Sequence, residues 1–160
     1  MASADDQMRL GTHNGHLMAA ALRRHHDKPV IHLGDVTLTG AEVSARISQY
    51  VQAFEDLGAG QGTAGALLAL NRPEVLFILG ASQTQGYRRT SLHPLGSLDD
   101  HAYVINDAEI TVLVVDPLFA ERAAGLLEKC PGLKQVLTIC LLYTSPSPRD
   151  RTRSRMPSSA

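Results

Sequence analysis

Residues 39–70 read TGAEVSARISQYVQAFEDLGAGQGTAGALLAL. Thr39 followed three residues later by Glu42 has the form of a capping box, in which hydroxyl and carboxylate each take the other residue's backbone amide. Behind it Val43, Ile47, Tyr50, Val51, Phe54 and Leu57 recur at three- and four-residue spacing, which predicts an amphipathic helix. Gly58 is the expected C-cap. Ala59–Gly62 is a glycine-rich turn, and Ala64–Leu70 is an unbroken apolar run expected as a buried strand. The order is amphipathic helix, glycine turn, buried strand.

That alternation continues toward the C-terminus. Asn71–Glu74 opens a helix, with Asn71 as cap and Pro73 in the first turn, and Val75, Leu76, Ile78 and Leu79 supply its apolar positions. Tyr87–Leu92 reads as a strand running into His93–Pro94. Ser97 starts a helix with Asp99 and Asp100 in its first turn and Leu98, Ala102, Tyr103 and Ile105 as apolar positions. Ile110–Val115 is a β-branched strand, Leu118–Lys129 a helix, and Lys134–Ile139 a final strand. On the N-terminal side, Asn14–His26 is rich in helix formers, with Leu17, Ala20, Ala21 and Leu22 spaced for one face. Pro29–Leu33 and Val36–Leu38 flank Gly34–Asp35 as a hairpin. The fold class is α/β, a layered and largely parallel sheet with flanking helices.

Composition bounds the function. The chain has 160 residues, 15 Lys+Arg against 16 Asp+Glu and 44% hydrophobic residues. This balance fits a soluble globular chain of one domain or part of one, and excludes a nucleic-acid-coating protein and wholesale disorder. Cys130 and Cys140 are too few for a disulfide scaffold or a four-ligand zinc site. No apolar run reaches the ~18 residues of a membrane span. The opening MASADDQMRL is acidic and polar, unlike a leader, so a cytoplasmic protein is expected.

The candidates for chemistry are few. Gly58-Ala59-Gly60-Gln61-Gly62 contains GxGxG, but follows a helix and precedes a strand. A dinucleotide fingerprint needs the opposite order, so this is a turn. His13, His16, His25 and His26 lack a third ligand at metal spacing. Cys130 has no His near it in sequence and reads as a half-buried structural thiol. Asp99 and Asp100 point apart and serve a helix start. Arg88 and Arg89 either meet an anionic ligand or sit solvated on an edge strand. His93 follows a strand, at the sheet edge where α/β folds take ligands, and is either a substrate-side residue or loop packing.

In order, these segments resemble the opening of the AMP-forming acyl-CoA synthetases of the adenylate-forming ligase superfamily. The carriers are Leu38-Thr39-Gly40-Ala41-Glu42-Val43, Phe54-Glu55-Asp56-Leu57-Gly58-Ala59, and Gly60 through Leu70 leading to Asn71-Arg72-Pro73-Glu74. Gly86 through His93-Pro94 is similar to the family's strand ending in Asn-Pro or His-Pro, and Ile105–Glu109 with Thr111–Asp116 to the helix end and strand that follow. The likeness spans about residues 12–139 and departs at Thr63 and Gly65, where the family has Asp and Val. It implies a ligase that joins a carboxylic acid, a fatty acid by overall similarity, to ATP as an acyl-adenylate and then to CoA. Mg²⁺ would offset phosphate charge. The resemblance implies ATP, Mg²⁺ and CoA as cofactors of a full-length parent.

The family's phosphate loop, adenine and ribose motifs and catalytic Lys lie farther downstream. Leu142-Tyr143-Thr144-Ser145 is similar to the start of that loop, yet Pro146-Ser147-Pro148-Arg149 continues it without a Gly run or a Lys. The residues here are therefore expected to bind none of these cofactors and to be inactive alone, with no catalytic residue assigned.

Cys140–Ala160 is Ser/Pro/Arg-rich, and its four arginines and one aspartate give it +3 in a chain of net −1. CLLYTSPSPRD resembles the one-frame translation of a transposon-type sequencing-library adapter, and RSRMPSSA that adapter's index-flanking primer. The expected organisation is a flexible N-terminus (1–11), a partial synthetase N-terminal domain (12–139) and a disordered non-native tail (140–160). No nucleic-acid partner and no membrane span are expected. A stand-alone, non-catalytic α/β module binding a small ligand or a partner is the alternative.

Overall fold

Thr39 and Glu42 close the expected capping box. The Glu42 carboxylate accepts from the Thr39 N–H at 2.8 Å and the Thr39 hydroxyl accepts from the Glu42 N–H at 3.3 Å. The computed structural model describes residues 13–139, so the readings of residues 1–11 and of the tail lie outside the described residues. These form two units, one of residues 13–63 and 71–88, the other of residues 64–70 and 89–139.

In the first unit, helix α1 (Asn14–Arg24) precedes the hairpin of β1 (Pro29–Leu33) and β2 (Val36–Thr39), followed by α2 (Gly40–Asp56) and, after the break in this unit, α3 (Pro73–Gln85). The strands pair antiparallel around Gly34–Asp35, with Leu33 opposite Val36, as the turn signal implies. Gly58, at φ 71°, follows the last turn of α2 in the left-handed region that suits glycine. Val43, Ile47 and Phe77 form the buried cluster, and Met18, Leu22, Ile31, Leu38, Tyr50 and Val51 pack against it. Phe54 is buried beside the Tyr87 ring.

Three expectations need correction here. Asn71 does not cap α3. The helix begins at Pro73, so Arg72 holds that position, and a guanidinium has no acceptor to offer the first-turn N–H groups; it pairs with the buried Glu74 carboxylate at 3.3 Å. Leu17, 58% exposed, and with it Ala20 and Ala21 face outward, because α1 turns Gly15, Met18 and Leu22 inward. Leu76 is 47% exposed, while its neighbours Phe77 and Ile78 are buried.

The second unit is a four-stranded sheet. Its strands are β3 (Ala64–Leu68), β4 (Arg88–Ser91, whose first residue belongs to the other unit), β5 (Val112–Val115) and β6 (Gln135–Thr138). The spatial order is β4-β3-β5-β6, and β3 with β5 and β5 with β6 are parallel. Helix α4 (Leu98–Asp107), a 3₁₀ turn (Pro117–Phe119) and α5 (Ala120–Lys129) complete it. Every residue of β3 and β5 is buried, which is why both read as continuous apolar runs rather than alternating ones. Leu68, Leu113, Val115, Ile105, Ile110 and Leu126 lie at the centre of the core. Tyr103, expected to face inward, is 70% exposed, and the inner stripe of α4 is His101, Ala102 and Ile105. Among the described residues no helix is long and apolar enough to cross a membrane.

Candidate functional site

In a sheet of order β4-β3-β5-β6, the chain leaves β3 to one side for β4 and then crosses to the other side for β5. The reversal makes a switch point between the carboxyl ends of β3 and β5, where open α/β sheets take ligands. Two segments of this unit border it. Leu92 donates its N–H to the Leu67 carbonyl at 2.8 Å, and Asp116 donates to the Leu68 carbonyl at 2.9 Å. Residues 92–97 and 116–119 therefore stand at the same edge, on either side of β3.

Asp116 is buried, and its carboxylate accepts the Leu118 N–H at 3.1 Å, opening the 3₁₀ turn. Pro117 follows naturally, since a first-turn position has no helical partner for an N–H. His93 is exposed just past β4. Its Nδ1 accepts the Leu95 N–H at 3.2 Å, so the proton of the neutral ring sits on Nε2.

Beneath this segment is a group absent from the sequence reading. His101 is buried on α4, and its Nε2 lies 2.8 Å from the His93 carbonyl oxygen. Arg122 of α5 stands 3.3 Å from His101 Nδ1 and donates to the Gly96 carbonyl. A signal was present: Leu98, His101, Ala102 and Ile105 follow helical spacing, which puts a histidine on the apolar stripe.

The other candidates are dispersed. His13 and His16 stack on one another with centroids 3.8 Å apart, and His26 pairs with Asp27 at 2.7 Å in an exposed position. The Gly58–Gly62 turn is closed by Thr63, whose hydroxyl accepts the Gly60 N–H at 3.1 Å. Asp100 completes a second capping box with Ser97, and Asp99 pairs with Lys129. Hydrogen bonding to Ser97 holds the Asp100 carboxyl below its ordinary range, as bonding to Thr39 does for Glu42. Arg88 is exposed on β4, at the sheet edge among the described strands, and Arg89 bonds the Ser91 hydroxyl at 2.7 Å. Cys130 is fully buried rather than half-buried, and burial pushes its thiol pKa up. Among the described residues no three His, Cys, Asp or Glu side chains come together as a metal ion would require.

A family model described as AMP-binding enzyme matches residues 18–159. The chain belongs to the AMP-binding enzyme family. Among its relatives is the medium/long-chain-fatty-acid–CoA ligase FadD8 of Mycobacterium tuberculosis (strain ATCC 25618 / H37Rv), 63% identical over 134 residues. That match covers 82% of this chain and 24% of the relative, so the chain spans about a quarter of that protein's length. Solved structures carry the same fold. The N-terminal domain of FACL13 from Mycobacterium tuberculosis superposes with a TM-score of 0.73 at 14% identity, covering 80% of this chain and 34% of that one. A benzoate CoA ligase from Burkholderia xenovorans LB400 gives 0.73 at 11% identity, covering 81% and 26%.

Proposed function

We propose that these residues are the N-terminal scaffold of an ATP-dependent acyl-CoA synthetase acting on a medium- or long-chain fatty acid in the cytoplasm. The observation that supports this reading is the 63% identity to the Mycobacterium tuberculosis fatty-acid–CoA ligase. In such a ligase the acid's carboxylate attacks the α-phosphorus of ATP, releasing pyrophosphate and leaving an acyl-adenylate. The CoA thiol then attacks the acyl carbonyl and AMP departs. Mg²⁺ would offset phosphate charge in the first step. With no carboxylate or imidazole cluster among the described residues to hold it, no ligand for it is assigned here.

The chain's own part is positional. The buried strands β3 and β5 fix the sheet edge, and His93 is presented there as the substrate-side residue. By itself the 160-residue chain forms neither pyrophosphate nor acyl-CoA in this reading. ATP, CoA and the acid are held by the rest of the longer enzyme.

A chimera tests it. Residues 18–139 replace the matching segment of the Mycobacterium tuberculosis ligase, and thioester formation from decanoate and palmitate is measured. Retained activity supports the proposal. A folded chimera that makes no thioester, beside an active parent, overturns it.

A further inference from the structure

We propose that His101 and Arg122 are positioning residues that lock residues 93–97 onto the sheet edge and thereby fix the direction of the His93 imidazole. The lock follows from donor and acceptor identities. A carbonyl oxygen only accepts, so His101 Nε2, 2.8 Å from the His93 oxygen, carries the proton. A guanidinium only donates, so His101 Nδ1, 3.3 Å from Arg122, is the bare nitrogen. The two partners select one tautomer of a buried ring.

Arg122 also donates to the Gly96 carbonyl, and the Gly96 N–H donates to the His93 carbonyl at 2.9 Å. The segment is thus tied to α4 through His101 and to α5 through Arg122. Gly96 is part of the device, because a Cβ there would lie 2.5 Å from His101 Nε2 and push the ring off its carbonyl. The outcome reaches His93 through its neighbour: Leu95, whose N–H holds His93 Nδ1, is inside the locked segment. A purely apolar side chain at position 101 would fill the space beside Ala102 and Ile105 but take the ring N–H away from the His93 carbonyl and the acceptor away from Arg122.

The geometric part stands on its own; its bearing on substrate rests on the reading of His93 given above. The 160-residue chain, with ¹⁵N-labelled histidine, is examined by NMR. His101 is expected as the Nε2–H tautomer with a slowly exchanging ring proton. Arg122→Met is expected to move the His101 Nδ1 and His93 ring resonances and to speed amide exchange at Leu95 and Gly96 by about tenfold or more, leaving the β3 and β5 amides unchanged. His101→Gln, which has one donor and one acceptor to offer, is expected to keep most of the protection of the parent chain, and His101→Phe is not. An Nδ1–H tautomer at His101, or unchanged exchange at Leu95 and Gly96 in Arg122→Met, overturns the proposal. Should His101→Phe not fold, the Arg122→Met result decides. In the ligase chimera, Arg122→Met is expected to raise KM for the acid while KM for ATP holds. Loosened residues 93–97 with an unmoved acid KM would uphold the lock and overturn the substrate-side reading of His93.

Discussion

Phe54 meets Tyr87 edge to face, with ring centroids 5.1 Å apart and planes inclined at 72°. Phe54 comes from the last turns of α2 and Tyr87 from the residue before β4, so this contact closes the first unit across 33 residues of chain. Tyr50 continues the cluster, 6.2 Å from Phe54 and 6.4 Å from Phe77. Truncation of Phe54 removes the ring at its centre. Phe54→Ala is expected to cost roughly 3–5 kcal/mol, a large part of a typical ~5–15 kcal/mol total. Phe54→Leu is expected to cost clearly less. Urea unfolding of the two variants, followed by tyrosine fluorescence and circular dichroism, checks the order.

Two capping boxes make stability sensitive to acid. Hydrogen bonds from Thr39 and from Ser97 hold Glu42 and Asp100 below their ordinary values in the folded chain. A carboxyl depressed on folding contributes stability above its unfolded value, about pH 4, and loses it as pH falls through the folded value. The chain is therefore expected to lose part of its stability through these two groups as pH falls below about 4. Glu42→Gln with Asp100→Asn should flatten that part of a plot of midpoint denaturant against pH. An equally steep plot in the double variant would contradict the assignment.

Cys130 is fully buried, its Sγ 3.8 Å from the Ala102 carbonyl, and burial favours the neutral thiol. Alkylation requires the thiolate. At pH 8 its peptide is expected to stay unlabelled by iodoacetamide in the folded chain and to label rapidly in urea, read by mass spectrometry. Cys130→Ala should be milder than Cys130→Asp, which would bury a carboxylate in a site with no counter-charge but Lys129 nearby.

Gly40 begins α2 where a Cβ would fall 2.4 Å from the His25 carbonyl and 2.8 Å from that of Leu22. Both are backbone atoms and cannot swing aside. Gly40→Ala is expected to cost about 1–3 kcal/mol, the range for forced overpacking. Gly60 has open space at the same position and no left-handed φ. Gly60→Ala should change stability by less than about 1 kcal/mol and in the favourable direction. Thermal midpoints of the pair test this contrast.

What was legible in the sequence is what short-range physics specifies. Thr39 with Glu42, the Gly34–Asp35 turn and the β-branched run at Val112–Val115 each carry their structure within a few residues. The departures lie where the exact helix start or the rotation of a helix against its neighbours decides the outcome. The helix α3 begins at Pro73, one residue later than a cap at Asn71 would place it, so the N-cap falls on Arg72, which has no acceptor to offer. Tyr103 fits the helical spacing of α4, yet the inward face is occupied by Ala102, Ile105 and a histidine. The place of His93 just past a strand was legible from the run Tyr87–Leu92 before it. Helical spacing signals a histidine on the inner stripe of α4, but not its partners: His101 and Arg122 are joined across 21 residues and Arg122 reaches Gly96 across 26. No local pattern reports such a pairing.

The order β4-β3-β5-β6 has a bearing on biosynthesis. Gly65 pairs with Val112, so β3 leaves the ribosome 47 residues ahead of the strand that will flank it at the centre of the sheet. At roughly 5–20 residues per second the fully apolar Ala64–Leu68 segment waits some seconds with that flank unmatched. During this interval the nascent polypeptide presents a sticky, hydrogen-bond-hungry ribbon, and a holding chaperone would find its binding stretch there.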